Sequence, residues 1–337
     1  MKLTKYEGNP IISPHPDHAW ESLATCNPGA YYDEAEGVVR LLYRAAGDEP
    51  EHVIRFGLAT STDGYRFERL DEPVFGPSPD GFDAGCVEDP RVVRFGDHYF
   101  VTYACRHYAP GRYWEPGGYY VPPDPPADFP LALRTNHTLT GLAITKDFQA
   151  WIRAGRMTDP TLDDRDVILF PEKVGGRFVR LHRPMTWVGP DHGTDHPAIW
   201  IGSSDDLLAW PESRLLARAR SDWERKIGGN GPPVRTDRGW LVIYHGVGDD
   251  RYYRLGAMLL DLDEPWRVLG RAPDWIMEPE HEYETRGCYE GGGVVFPCGN
   301  VVINGTLFVY YGAADKYCGV ATCDLAELVE HLLACPP

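Results

Sequence analysis

A strand–turn–strand unit recurs five times along this chain, and that recurrence restricts the fold more than any other feature of the sequence. The units fall at residues 38–43, 92–103, 173–181, 234–244 and 301–311, each closing in an aromatic-rich strand such as Val101-Thr102-Tyr103. In three of them the turn reads Gly96-Asp97, Asp237-Arg238-Gly239 or Asn304-Gly305, steps that suit a tight hairpin. A second strand pair follows each hairpin, starting Gly57-Leu58-Ala59-Thr60 and Gly141-Leu142-Ala143-Ile144 in the first two units, with variants at 199–210, 255–262 and 319–324. Four strands repeated five times predict an all-β, five-bladed β-propeller, with residues 1–337 as one catalytic domain; a pair of β-sandwich sheets is the alternative. In the propeller the aromatic strands are innermost, so their ends meet around a central funnel. One short C-terminal helix is expected at residues 325–333, with Asp324 placed to cap it.

Charge narrows the partners. Fifty acidic against 33 basic residues give a net charge of −17, which argues against nucleic acid or an anionic membrane as partner. Any anion must be met by a local basic cluster working against the overall field. Residues 1–10 have no apolar h-region and no apolar run reaches spanning length, so the expectation is a soluble, unexported, cytoplasmic protein. Eight cysteines without C-x-x-C spacing read as reduced thiols, not as a disulfide framework or a zinc site. No cofactor is expected. His192 and His196 are spaced i, i+4 but lie in a loop, and Gly291-Gly292-Gly293 lacks the strand-to-helix setting of a phosphate loop.

The chemistry-bearing residues cluster at strand ends. In Glu88-Asp89-Pro90-Arg91 the proline biases Asp89 toward extended geometry at a stiff strand entrance, which suits a catalytic acid. Alone, such a tetrapeptide reads as a solvated ion pair. The funnel would also gather Asn27, Arg44, Asp166, Glu172, Lys173, His182, Arg183, Lys226, Tyr244, His245 and Asp315. Singly, His182 and His245 read as satisfied core histidines, Lys226 as solvated and Asp315 as a turn former. Jointly they alternate in sign, as a polyol beside an anion requires. Residues 108–137, rich in proline and tyrosine, interrupt the second unit; long insertions of this kind are lids or binding loops. Tyr113, Trp114, Tyr119 and Tyr120 there offer ring faces to a sugar, and the same segment is the candidate contact of a homo-oligomer.

Several motifs occur in a fixed order: Asn27-Pro28-Gly29-Ala30, LLYRA at 41–45, EDPR at 88–91, LFPEK to LHRP at 169–184, KIG to PP at 226–233, WLVIYHG at 240–246, and VVFPCG to YYGAAD at 294–315. In these the chain resembles the β-mannoside phosphorylases of glycoside hydrolase family 130, whose fold is a five-bladed propeller. The resemblance implies that Asp89 is the general acid and that Asn27, Arg44, Glu88 and Asp315 surround the glycone; Arg91 and His182 of the funnel set and Tyr113 and Trp114 of the insertion, outside the resemblance, are nominated as further substrate contacts. It implies that Arg183, Lys226 and His245 hold inorganic phosphate, with Tyr244 lining the same region. Where relatives carry a basic residue just before the D-x-x-LFPEK strand, this chain has Asp163 and Asp164, followed by Arg165 as the substitute.

An inverting glycosidase needs two carboxylates about 6.5–9.5 Å apart, one as acid and one to activate water. Phosphate replaces the second in a phosphorylase, so one acid and a cationic cluster suffice. The expected reaction is inverting phosphorolysis of a manno-oligosaccharide or β-mannosyl disaccharide to α-mannose 1-phosphate, with inorganic phosphate as co-substrate. In some relatives the proton passes through a hydroxyl of the mannosyl ring. The alternatives are an inverting β-mannosidase using Glu172, Glu282 or Glu284 as base, and a sugar-binding propeller without activity.

Overall fold

Short β-branched and aromatic runs, punctuated by glycine and proline, leave little room for helix, and the computed structural model is built almost wholly of antiparallel strands. It describes residues 1–112, 114–115, 127–128, 134, 136–289 and 291–337. The first strand, β1 (Thr4–Lys5), pairs with the last. Between them come three four-stranded antiparallel sheets. The first is β2 (Ala24–Asp33), β3 (Val38–Ala46), β4 (Arg55–Ser61) and β5 (Glu68–Arg69). The second is β6 (Cys86–Phe95), β7 (His98–Arg106), β8 (Leu139–Thr145) and β9 (Trp151–Arg156). The third is β10 (Asp164–Leu169), β11 (Phe178–Pro184), β12 (Ile199–Ser204) and β13 (Glu212–Ala217).

The remaining strands form one nine-stranded sheet. Its first half holds β14 (Lys226–Gly229), β15 (Val234–Arg235), β16 (Trp240–Val247), β17 (Tyr252–Leu260) and β18 (Val268–Arg271). Its second half holds β19 (Gly293–Ile303), β20 (Thr306–Ala313), β21 (Tyr317–Asp324) and β1. A short parallel pairing of Tyr252 and Tyr253 with Gly293 and Val294 joins the halves. Each half repeats the antiparallel order of the smaller sheets. A single-turn helix, α1 (Glu282–Thr285), precedes β19, and α2 (Leu325–Leu333) ends the chain. Asp324 accepts a hydrogen bond from the Glu327 amide at the start of α2, as the sequence predicts. Leu328, Val329 and Leu332 of α2 are buried in the cluster built on β16, β17, β20 and β21. Among the described residues no helix is long and apolar enough to cross a membrane.

One expectation is corrected here. The aromatic strands are second in each unit, not innermost; the strand before each of them is the one that packs against neighbouring units, β2 against β6 and β19, and β10 against β6 and β14. The aromatics instead anchor their own unit. Tyr43, Tyr103, Tyr244 and Tyr311 each donate a hydrogen bond to a carboxylate some 20 residues upstream, Glu21, Asp83, Glu224 and Glu284, at 2.8, 2.8, 2.8 and 2.9 Å. A cation completes each group: Arg69, Arg153, Arg271 and Lys5. Opposite each ring on the next strand stands a glycine, Gly57, Gly141, Gly256 or Gly319. A Cβ at any of the four would lie 2.2–2.5 Å from the ring Cζ, so the ring lies flat where only glycine fits.

In the third unit the equivalent position is His182, opposite Trp200. Its Nδ1 contacts Asp164 at 2.9 Å and its Nε2 contacts Ser213 Oγ at 2.6 Å. The Ser–His–Asp order has the form of a hydrolytic relay, but its place in the repeat is that of the tyrosine–carboxylate anchors. Tyr244 is also an anchor, held by Glu224 and Arg271 away from any open surface. Tyr244→Phe is therefore expected to lower unfolding free energy by about 1–3 kcal/mol in a denaturant titration while leaving the KM for phosphate unchanged.

Candidate active site

Three of the innermost strands carry the same irregularity. The pairing of β2 with β3 gains one residue between Cys26 and Gly29, that of β6 with β7 between Glu88 and Arg91, and that of β10 with β11 between Arg165 and Ile168. The residue at the head of each bulge is left-handed: Asn27 at φ 48°, Asp89 at φ 53° and Asp166 at φ 53°. Asn and Asp tolerate this region better than other side-chain-bearing residues. The extended geometry expected for Asp89 from Pro90 is thus wrong; register demand from the paired strand outweighs the proline bias. The three bulges turn their polar side chains toward a shared cavity of about 730 Å³.

Asn27, Arg44, Glu88, Asp89, Arg106, Arg165, Asp166, Arg183, Lys226, Tyr253 and Asp315 line that cavity. On one side Asn27 Nδ2 donates to Asp89 Oδ1 at 2.7 Å, and Arg44 Nη1 lies 3.5 Å from the same oxygen and 3.2 Å from Glu88 Oε2. Arg106 approaches the other Glu88 oxygen at 3.5 Å. Glu88 and Asp89 are adjacent acids with opposite behaviour. Burial pushes the Asp89 carboxyl above its usual range, and Arg44 and Arg91 only partly offset it. Burial acts on Glu88 too, but Arg44 and Arg106 outweigh it and hold that carboxyl below its usual range. The pair therefore offers one proton donor next to one fixed carboxylate.

The other side is cationic. Arg183 Nε donates to Asp166 Oδ2 at 2.6 Å, and Arg165 is forked onto Asp163 at 2.6 and 2.8 Å. Lys226 donates to the Tyr253 hydroxyl at 3.0 Å. Burial, then Arg183 and Arg165, lower the Lys226 pKa to about 7. Positive charge is thus crowded around Lys226. A cavity of this size, with an acid facing a cationic wall, has room for sugar residues and a small oxyanion.

The family 130 profile, described as beta-1,4-mannooligosaccharide phosphorylase, matches residues 4–113 and 132–333. The chain belongs to glycoside hydrolase family 130. It is 34% identical over 335 residues to a 1,2-beta-oligomannan phosphorylase of Thermoanaerobacter sp. (strain X514), covering 97% of this chain and 99% of that one. It is 31% identical to a beta-1,4-mannooligosaccharide phosphorylase of Ruminococcus albus, covering 98% and 90% of the two chains. Among solved structures, the beta-1,2-mannobiose phosphorylase of Listeria innocua in complex with beta-1,2-mannobiose matches with a TM-score of 0.77 at 28% identity, over 98% of this chain and 99% of that one.

Of the residues nominated from the sequence, Asp89, Glu88, Asn27, Arg44, Asp315, Arg165, Arg183 and Lys226 come together on the cavity wall. The others do not. Arg91 is 2% exposed and braces the floor, donating to the carbonyls of Asn230 and Asp89 at 2.9 and 2.8 Å. His245 is fully buried behind Asp166, its Nε2 3.8 Å from Asp166 Oδ2. Burial pushes its pKa well below the usual histidine value, so it is neutral and adds no positive charge to the anion side. His182 and Tyr244 are the anchors described above. Trp114 packs edge-on against His52, ring centroids 4.7 Å apart, and not along the cavity. Tyr113, Tyr119 and Tyr120 lie outside the described residues.

Sequence reasoning gathered Asp166 into the funnel without giving it a role, and missed Tyr253 beside Lys226, Tyr289 next to Tyr253, and Arg106, Arg134, Asn136 and Thr138 at the ends of the 108–137 insertion. Tyr253 and Tyr289 carried a signal: both sit where β17 and β19 come together, and Tyr253 itself pairs with Val294.

Proposed function

We propose that this protein is a β-mannoside phosphorylase acting with inversion, in which residues 1–337 form one five-bladed propeller and inorganic phosphate is the sole co-substrate. The five repeating antiparallel units, the pairing of the first strand with the last and the convergence of the innermost strands support the propeller reading. One observation carries the reaction: Asp89, a carboxyl that desolvation pushes above its usual range, shares a cavity with Arg183, Arg165 and Lys226. Each carboxylate nominated as a hydrolytic base is occupied elsewhere. Glu172 pairs with Arg235 at 2.7 Å, Glu282 with Arg286 at 2.7 Å, and Glu284 is fully buried with Lys5 and Tyr311.

In the step itself a phosphate oxygen attacks the anomeric carbon from the face opposite the leaving group, the glycosidic C–O bond breaks, and Asp89 supplies the proton to the departing oxygen. Asn27 and Arg44 orient that carboxyl and stabilise its anion afterwards. Arg183 and Lys226 position the phosphate, which needs no activating base. The product is a sugar phosphate whose charge keeps it from crossing a membrane, which favours a cytoplasmic enzyme. The assay is release of mannose 1-phosphate from β-1,2-, β-1,3- and β-1,4-linked mannosides with and without phosphate; equal cleavage in its absence refutes the reading. Because Lys226 is charged below about 7 and neutral above, kcat/KM for phosphate is expected to fall as pH rises through that value, while KM for the mannoside stays level.

A further inference from the structure

Asp166 stands at the same bulge position as Asn27 and Asp89, but its contacts differ from theirs. Two arginines from two other strands donate to its carboxylate, Arg183 Nε of β11 at 2.6 Å and Arg91 Nη2 of β6 at 3.3 Å, and the neutral His245 of β16 stands 3.8 Å away, beyond hydrogen-bond reach. A fourth strand makes room for them. Gly228 of β14 lies so close that a Cβ there would stand 2.1 Å from Asp166 Oδ2, 2.6 Å from His245 Cε1 and 2.7 Å from Arg183 Nε. A left-handed backbone, a buried carboxylate and an obligatory glycine are each costly, and they meet at one point on the cavity wall.

The consequence falls on Arg183. Its Nε is committed to Asp166, and its Nη1 reaches only the Met185 sulfur, a weak acceptor. One edge of the guanidinium is thereby pinned, and Arg183 is among the residues that line the cavity. An arginine free to rotate would lose side-chain entropy on binding an oxyanion; one held edge-on has already lost it. Arg91 and His245 are each held in turn by Asn230, through its carbonyl at 2.9 Å and its side-chain oxygen at 2.9 Å.

We infer that Asp166 is a positioning residue for phosphate, fixing the Arg183 guanidinium in the plane in which it receives the oxyanion, with Arg91 as the backing that fixes Asp166. This rests on the phosphorylase reading and deepens it.

The test is Asp166→Asn, which keeps shape and removes charge, with Gly228→Ala as a second variant that leaves the charge and crowds the Asp166–Arg183 contact itself. Phosphate KM is measured at saturating mannoside and mannoside KM at saturating phosphate, with calorimetric titration of inorganic phosphate into each protein and a thermal melt as a check on folding. Both variants are expected to raise phosphate KM and Kd tenfold or more while mannoside KM stays within about twofold. A merely structural carboxylate would lower the melting temperature and the active fraction with phosphate KM unmoved, and that result overturns the inference. Wild-type protein that cleaves mannosides equally without phosphate overturns the phosphorylase reading instead. Phosphate dependence in the wild type with unchanged phosphate KM in both variants overturns only the role of Asp166. Should Asp166→Asn fail to fold, Gly228→Ala gives the same two readouts.

Discussion

Asp89→Asn is expected to lower phosphorolytic turnover by about a hundredfold or more, the usual contribution of a positioned general acid. The substitution is close to isosteric. A carboxamide oxygen still accepts from Asn27 Nδ2, so the bulge and the Asn27 contact survive. What is lost is the proton, and with it the carboxylate that Arg44 stabilises once the proton has left. Turnover should fall while mannoside KM and the melting temperature stay near wild type, followed as mannose 1-phosphate released at saturating phosphate. A substrate whose leaving group needs no proton should recover much of the rate. Wild-type turnover by the variant removes Asp89 from the acid role.

Arg183→Gln should cost about 10²–10³-fold in kcat/KM for phosphate, the scale of one lost donor at a developing charge. The damage has two parts. The oxyanion loses a planar, doubly donating partner, and Asp166 loses the nearest of its cations while remaining buried beside Arg91. Arg183→Lys should recover only a fraction, because an ammonium cannot hold Asp166 and a ligand oxygen along two edges at once. Initial rates across a phosphate series, with mannoside held saturating, measure this directly. An unchanged phosphate dependence in either variant would place the anion elsewhere.

Much of this architecture was legible because the repeat is written in local chemistry. Turn glycines, alternating strands and the Asp324 cap each specify their own conformation within a few residues, and α2 begins and ends where the pattern predicts. The cavity wall was legible where a motif named a side chain that needs solvent access, as with Arg44, Asp89 and Lys226. Depth was not legible. Arg91 lies two residues from Asp89 yet is buried, because one extra residue in β6 reverses which side chains point out, and Tyr244 and His245 are buried on a strand whose pairing is regular. The anchors did leave a trace. Trp20-Glu21, Phe82-Asp83, Trp223-Glu224 and Tyr283-Glu284 each put an aromatic before the acid that later meets a tyrosine. A search for an aromatic–acid step upstream of each strand tyrosine would have marked Tyr244 as structural.

The bulge heads have a meaning for how such a protein could have arisen. Asn27, Asp89 and Asp166 occupy one backbone niche copied three times, and amide and acid differ by a single-base change. Duplication of the unit would have multiplied the niche before any of the copies had a task. On the proposed reaction, neighbours would then have divided the labour: one copy orients, one delivers a proton, one aims an arginine. New chemistry on this scaffold should therefore be sought by exchanging amide and acid at these heads and revising the cation beside each, leaving the strands that carry them untouched.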